Sequence, residues 1–254
     1  MPNRHIFIGD VHGCIKELDM LLEKISLKET DILVFIGDLI DKGPDSSAVV
    51  KRFFELKSTF QVKLILGNHE EKFLRYFKHI ENGTGKEKEM KGTEEFPDLI
   101  KNLQPDEINA LKDAYYSLHF PEIGFTALHG GLVGYIPFNF PADYHYTRHN
   151  PKEFKGLDLI TKTRYLSPEG KFVGLGEEKT EDRYWADAYD GKYGNIVFGH
   201  QPFMQDVVKE FPFAVGIDSA CVFGGKLTAM IIENGIRNYV QVSALEAYAV
   251  LKTK

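Results

Sequence analysis

Short apolar runs in this chain end repeatedly on a glycine followed by a polar side chain. Residues 4–8, 32–36 and 62–66 are rich in β-branched and aromatic side chains, and each runs into a Gly-Asp or Gly-Asn turn, so they predict strands. Over Cys14–Ile25 the apolar positions Ile15, Leu18, Leu22 and Ile25 recur at a helical spacing. Pro44 is expected in the first turn of a second helix whose apolar side is Val49, Val50, Phe53, Phe54 and Leu56. The order βαβαβ predicts a sheet covered by helices.

Beyond EEKFLRYFKHI, the stretch ENGTGKEKEMKGTEEF replaces the apolar period with glycine and charge, which reads as a solvated insertion. PDEINALKDAYYSLHF is expected to resume as a helix and residues 123–128 to return to a sheet, leaving a segment around 81–118 able to cap the strand ends. Residues 134–153 are aromatic, proline- and histidine-rich without a steady period, and predict a long lid loop. From Asn195 onward, NIVFG, FAVGI, KLTAMII and IRNYVQV are separated by Gly, Pro or Asn and predict strands closing a second sheet. No internal repeat or interdomain linker interrupts residues 1–254, so one domain is expected.

Composition narrows the function classes. With 43% hydrophobic residues in 254, the chain can bury a large core. The formal net charge of -6 disfavours broad nucleic-acid binding while leaving room for a local basic pocket. Cys14 and Cys221 are too few for a disulfide framework and suit a reducing compartment. The opening MPNRHIFIGD meets an Asp before a secretory apolar segment forms, and no stretch holds the apolar residues of a membrane span, so a cytoplasmic protein is expected.

The polar residues at the strand exits carry the candidate chemistry. Asp10 and His12 in GDVHG set a carboxylate and an imidazole two residues apart, able to converge on a divalent cation. In GDLIDKG, Asp38 is placed to bridge two metals and Asp41 to orient a neighbouring acid; a turn with a satisfied Asx cap is the plainer reading for either. GNHE offers Asn68 as an amide ligand or helix N-cap, and His69 as a proton donor to a leaving oxygen. His129 in HGG and His200 in GH complete the set. This inventory suits a two-metal clamp that lowers the pKa of an attacking water and stabilises a transferring phosphoryl group.

The ordered motifs GDVHG, GDLIDKG, GNHE, HGG and GH resemble those of the calcineurin-like metallophosphoesterases, within the phosphoprotein phosphatase superfamily and its bacterial diadenosine-tetraphosphatase-like members. The resemblance runs from Asp10 to the closing IDSACVFGGKLTAM, residues 217–230, and is less specific in the middle of the chain. It implies an α/β fold, a four-layer αββα sandwich with mixed central sheets. It implies two divalent ions, Mn2+ first and Fe or Zn as alternatives. Asp10, His12 and Asp38 would hold one ion; Asp38, Asn68, His129 and His200 the other. It further implies that His69, assisted by Asp41, is the general acid during direct attack by a metal-bound water or hydroxide, and that Arg164 in ITKTRY binds phosphate.

Two positions depart from the pattern. Lys42 stands where the family's GDxxDRG carries Arg, keeping charge but losing the planar two-pronged grip, and Asp218-Ser219-Ala220 replaces the usual closing DTG. The leading expectation is a metal-dependent phosphomonoester hydrolase acting on phosphoserine or phosphothreonine in proteins. The alternative is a symmetrical dinucleoside tetraphosphate hydrolase or an enzyme that removes nucleotide caps from RNA. Tyr184, Trp185 and Tyr189 read either as core or as a stacking surface for a nucleobase, Tyr144–His149 as a loop whose histidines reach phosphate if it folds over the metals, and Cys14 and Cys221 as packing.

Overall fold

The computed structural model describes residues 4–136, 138–149, 151–204 and 208–251. Residues 1–3 and 252–254 of the expected single domain, and residues 137 and 150 of the expected lid, lie outside that set.

The first third of the chain winds as its periodicity predicts: β1 (His5–Ile8), α1 (Ile15–Ile25), β2 (Ile32–Phe35), α2 (Ser46–Leu56), β3 (Gln61–Leu64) and α3 (Asn68–Glu81). Pro44 is not in the first turn of α2. Asp45 is the N-cap, its side chain accepting from Ala48 N at 2.8 Å, so the helix starts where a carboxylate can satisfy an otherwise unpaired donor. Nor does Phe54 join the apolar side, being 38% exposed. Asn68 is the first residue of α3 and Gly67 its N-cap, which leaves the Asn68 amide free for other work.

After α3 come α4 (Phe96–Asn102) and α5 (Pro105–Lys112), whose Leu99, Ile108 and Leu111 are buried beside α2 and α3. The helix expected to run on to residue 120 stops at Lys112, and Tyr115–Phe120 is a strand, β4. It forms a hairpin with β5 (Phe125–Leu128), Ser117 facing Leu128 and Phe120 facing Phe125. Pairing with β5 decides its state, because the aromatic run by itself suits either period. Next are β6 (Tyr144–His145), β7 (Tyr165–Leu166), β8 (Phe172–Val173), β9 (Arg183–Tyr184) and the short α6 (Trp185–Ala188). The chain then runs through β10 (Asn195–Phe198), β11 (Lys209–Glu210), β12 (Ala214–Gly216), β13 (Lys226–Glu233) and β14 (Ile236–Ser243).

Two mixed sheets result, in the orders β14-β13-β1-β2-β3 and β11-β12-β10-β5-β4-β6, with β7, β8 and β9 in a small third sheet. The last hairpin was expected in the second sheet. Instead β13 pairs antiparallel with β1, His5 facing Ile232, and completes the first. Alternation along the strands sorts the core. Phe7, Val34, Val197, Val215 and Met230 fill the space between the sheets, whereas Ile6, Ile8, Phe35 and Phe198 point to the outer faces. Helices α1 and α2 cover the first sheet's outer face, and α6 with the segment around Ile160 covers the second's, giving the mixed-sheet sandwich. No helix among the described residues is long and apolar enough to cross a membrane.

Candidate active site

The C-terminal ends of six strands meet at one edge of the paired sheets, the usual place for a site in an open α/β sheet. Asp10 and His12 follow β1, Asp38 and Asp41 follow β2, and Asn68 and His69 follow β3. His129 follows β5, His200 follows β10 and Asp218 follows β12. The turns are strained. His12, Asp38, Asp41, Lys42, His200 and Ala220 have φ of 46°, 50°, 74°, 72°, 67° and 62°, and among the described residues only Ser26 and Asn234 are other non-glycines with positive φ. Left-handed backbone costs an L-residue roughly 1–2 kcal/mol, so its concentration here marks a geometry held by its surroundings. At Gly37, with φ +93°, a Cβ would lie 2.7 Å from both Gly67 Cα and His129 Nδ1; only glycine lets these exits pass so closely.

Asp38 is the hub. Its Oδ2 lies 3.4 Å from His12 Nε2, 3.3 Å from His129 Nε2 and 3.8 Å from His69 Nε2. Two groups of convergent donors share it: His12, Asp38 and His69, and Asp38, His129 and His200. Asn68 Oδ1 is 3.2 Å from His129 Nε2, and Asp10 accepts from His200 N at 3.0 and 3.2 Å, so all six expected ligands lie in one cluster.

The donor set fits divalent ions. His12 Nδ1 and His129 Nδ1 contact the carbonyls of Ile40 and Ile36 at 3.0 and 2.6 Å, which assigns each Nδ1 a proton and turns each Nε2 to the cluster. His200 Nε2 is buried without a partner among the described residues, a costly arrangement unless a ligand completes it. His12 Nε2 already accepts from a cation, the Lys42 ammonium at 2.9 Å.

Charge in the cluster is uneven. Burial, with Lys42 adding to it, pushes His12 down to about 3, and burial together with Arg164 holds His200 well below its usual value, so both imidazoles are neutral donors. Burial opposes charge on His129 as well, but the Asp38 and Asp10 carboxylates outweigh it and raise it to about 9. Burial would raise Asp38; His129 and His69 overcome it and hold that carboxyl well below its ordinary range. Asp10 goes the other way, pushed well up by burial and by the charge of Asp218.

His69 is the more accessible imidazole, its side chain 15% exposed. Its Nδ1 lies 2.5 Å from Asp41 Oδ2, which fixes the ring and leaves Nε2 facing the cleft. Burial works against ionisation of Asp41, but the His69 bond prevails and its carboxyl is lowered. Arg164 enters just before β7 and donates through Nη2 to His200 O at 2.8 Å. It lines the same cleft, of about 440 Å³, with Lys42, His69, His200 and Asp218.

Sequence reasoning gave no role to Glu70. It is fully buried, and its carboxylate accepts from Asp38 N at 2.7, Leu39 N at 2.8, Ile40 N at 3.3 and Gly67 N at 3.2 Å. A glutamate three residues after the N-cap Gly67 is half of a capping box, the signal that could have exposed it. Asp218 Oδ1 accepts from Ala220 N at 2.9 Å, holding the departing turn in its left-handed form.

Other candidates lie elsewhere. Trp185 is buried edge-on to Phe198 at 4.9 Å, and Tyr184 packs with Phe203 and Phe211, so these rings are core. Tyr189 donates to Gly194 O. His145 pairs with Asp113 at 2.9 Å and His149 accepts from His145 N, so neither lines the cleft. Cys14 and Cys221 are free and buried, and the bond to Cys14, with burial, pushes the Cys221 thiol up, away from nucleophilic use.

Residues 4–228 match the family described as Calcineurin-like phosphoesterase. The asymmetrical bis(5'-nucleosyl)-tetraphosphatase PrpE of Oceanobacillus iheyensis is 31% identical over 242 residues, 87% of this chain and 86% of that protein. A symmetrical bis(5'-nucleosyl)-tetraphosphatase of Cellvibrio japonicus is 26% identical, over 90% of this chain and 95% of that one. Among solved structures, that of a candidate diadenosine tetraphosphatase superposes with a TM-score of 0.68 at 27% identity, over 94% of this chain and 93% of that one.

Proposed function

This chain belongs to the calcineurin-like phosphoesterase family and is a metal-dependent phosphoric ester hydrolase, and from that premise we propose that its substrate is a dinucleoside tetraphosphate. The observation that carries the reading is the 31% identity over 87% of the chain to a protein named for that substrate. The phosphoserine or phosphothreonine substrate expected from the motifs alone gives way to it, because those motifs are shared metal machinery and do not distinguish leaving groups.

In this reading Asp10, His12 and Asp38 hold one divalent ion and Asp38, Asn68, His129 and His200 hold a second, with manganese the first choice and iron or zinc chemically acceptable to the same donors. The chemistry such a pair supplies when bound is a water ionised at neutral pH and neutralisation of phosphoryl charge. The chain's own residues do the rest. Arg164 and Lys42 meet the anionic oxygens, Arg164 offering a planar pair of donors and Lys42 a point charge. The Asp41 carboxylate accepts from His69 Nδ1–H and orients the ring, so that Nε2 faces the leaving oxygen and donates to it when the ring carries its second proton. A nucleotide leaves as a phosphate oxyanion, far less basic than a serine alkoxide, so His69 has less work to do on a phosphoanhydride than on a phosphoprotein.

The test is a parallel measurement of kcat/KM, with manganese, on diadenosine tetraphosphate and on a phosphoserine or phosphothreonine peptide, the Asp38→Asn protein serving as background. Preference for the dinucleotide is expected; preference for the peptide would overturn the reading. Product analysis then separates even cleavage, into two nucleoside diphosphates, from uneven cleavage, into a mono- and a triphosphate.

A further inference from the structure

The walls of the cleft are apolar although its floor is charged. Leu175, in the turn between β8 and β9, Pro202, Phe223, Val250 and Leu251 line it together with the charged groups. Leu175 is 74% exposed and Val250 87%, and among the described large hydrophobic residues only Tyr135, at 76%, is comparably bare. Two of the three most exposed apolar side chains thus flank the mouth of one polar site. Burial in the core does not explain them, and exposed apolar surface rimmed by polar groups marks a place where something binds.

The segment that brings Val250 there is pinned. After β14 the chain turns back so that Ala247 bridges to Phe223, while Tyr248 N and Ala249 N both donate to Val222 O, at 2.9 and 3.0 Å. Tyr248 OH and Leu245 N each donate to Glu17 on α1 at 2.9 Å. The strap is therefore fastened both to the turn that carries Asp218 and to the helix that follows His12. Phe223, in that turn, also has the Lys42 ammonium 5.8 Å from its ring centroid, which ties the apolar wall to the cationic floor.

We propose that Leu175, Phe223, Val250 and Leu251 form the subsite for a nucleobase of the substrate, with Arg164 and Lys42 holding the phosphates below. The proposal rests on the dinucleoside tetraphosphate reading and adds to it the surface that tells a nucleotide from a bare polyphosphate. A purine is a flat, largely apolar ring on a polyanionic chain, the same division as wall and floor. Phe223 offers a ring for stacking, and the aliphatic side chains cover apolar surface of the base.

The experiment replaces Leu175 and Val250 together with serine, which removes apolar surface without adding charge to a site that binds an anion. In the full chain with manganese, the KM for diadenosine tetraphosphate and the Ki of inorganic tripolyphosphate as a competitive inhibitor are measured for both proteins. A rise in KM of about 10-fold is expected, the equivalent of roughly 50 Å² of apolar contact, with Ki within about twofold of the parent. Equal shifts in KM and Ki, or no shift in KM, would overturn the subsite while leaving the substrate reading intact. Parent protein that turns over the dinucleotide no faster than Asp38→Asn would overturn both. A second variant, Phe223→Ala, is expected to raise KM at least fivefold through lost stacking, and an unchanged KM there counts against the proposal too.

Discussion

Replacing Glu70 with glutamine tests how the Asp38 turn is held. The change keeps volume but exchanges one oxygen for an amide NH2. Glu70 Oε2 accepts from Asp38 N and Gly67 N and Oε1 from Leu39 N and Ile40 N, so either orientation of the glutamine leaves two backbone donors facing another donor. A buried donor without an acceptor costs roughly 1–3 kcal/mol, which brackets the pair at about 2–6 kcal/mol. The lower half applies, because burial and the Asp38 charge push the Glu70 carboxyl up to about 7 and weaken its charged bonds. At about 3 kcal/mol, a chain of this size loses about 6–12 °C in Tm. Released from its anchor, the Asp38 turn also misplaces the hub of the cluster, and displacement of that kind costs on the order of 100-fold in rate.

The assay is thermal unfolding by circular dichroism, paired with kcat/KM measured well below the lower Tm. A Glu70→Gln protein that melts within about 2 °C of the parent and keeps its kcat/KM would refute the reasoning. A lowered Tm with unchanged kcat/KM would show that Glu70 supports the fold without positioning Asp38.

Asp38→Asn is expected to cost more activity than His69→Asn, whose loss should lie within about 100- to 10,000-fold on an alkyl phosphoester, the range for one proton donor; steady-state kinetics with metal content matched settles the order. Dialysis against a chelator should abolish hydrolysis and lower Tm by about 5–11 °C, the effect of withdrawing a ligand present at about 100 times its Kd, with manganese restoring both. Asp31 is buried against Arg4, with contacts of 2.6 and 2.8 Å; burial opposes its ionisation, but the Arg4 bonds prevail and lower its carboxyl. Its stabilising effect is therefore complete above the unfolded value of about 3.9 and lost as pH falls through the folded one, so urea titrations should show Asp31→Asn weaker than the parent at pH 7 and the gap narrowing below pH 4. Ala220→Gly should change stability by no more than about 1 kcal/mol, because relief of left-handed strain is offset by the added freedom of the unfolded chain; differential scanning calorimetry reads the sum.

What the sequence disclosed was local. The exits of β1, β2 and β3 were legible because a short apolar run followed by Gly-Asp or Gly-Asn is written within nine residues, and the cluster around Asp38 sits on those exits. What it hid depended on distant partners. Tyr115–Phe120 is a strand because β5 lies beside it, and β13 belongs to the first sheet because β1 offers it an edge. Glu70 was legible only as a helix cap, since three of its four donors lie about thirty residues earlier. The aromatic run at 184–189 suits a stacking surface as well as a core by composition, and only the fit of Trp185 against Phe198 and Gly131 decides between them.

The pairing of β1 with β13 also sets a timetable. His5 faces Ile232, so 227 residues separate strands that must lie side by side. At about 5–20 residues per second, a ribosome takes roughly 11–45 s to supply the second after the first. Through that interval β1 can pair with β2 on one side only, and its other edge is a row of unpaired amides and carbonyls open to any passing strand. Newly made chains are thus exposed to mispairing until β13 emerges, and a chaperone that shields β1 through that interval should raise the yield of folded protein more than one that acts after β13 has docked.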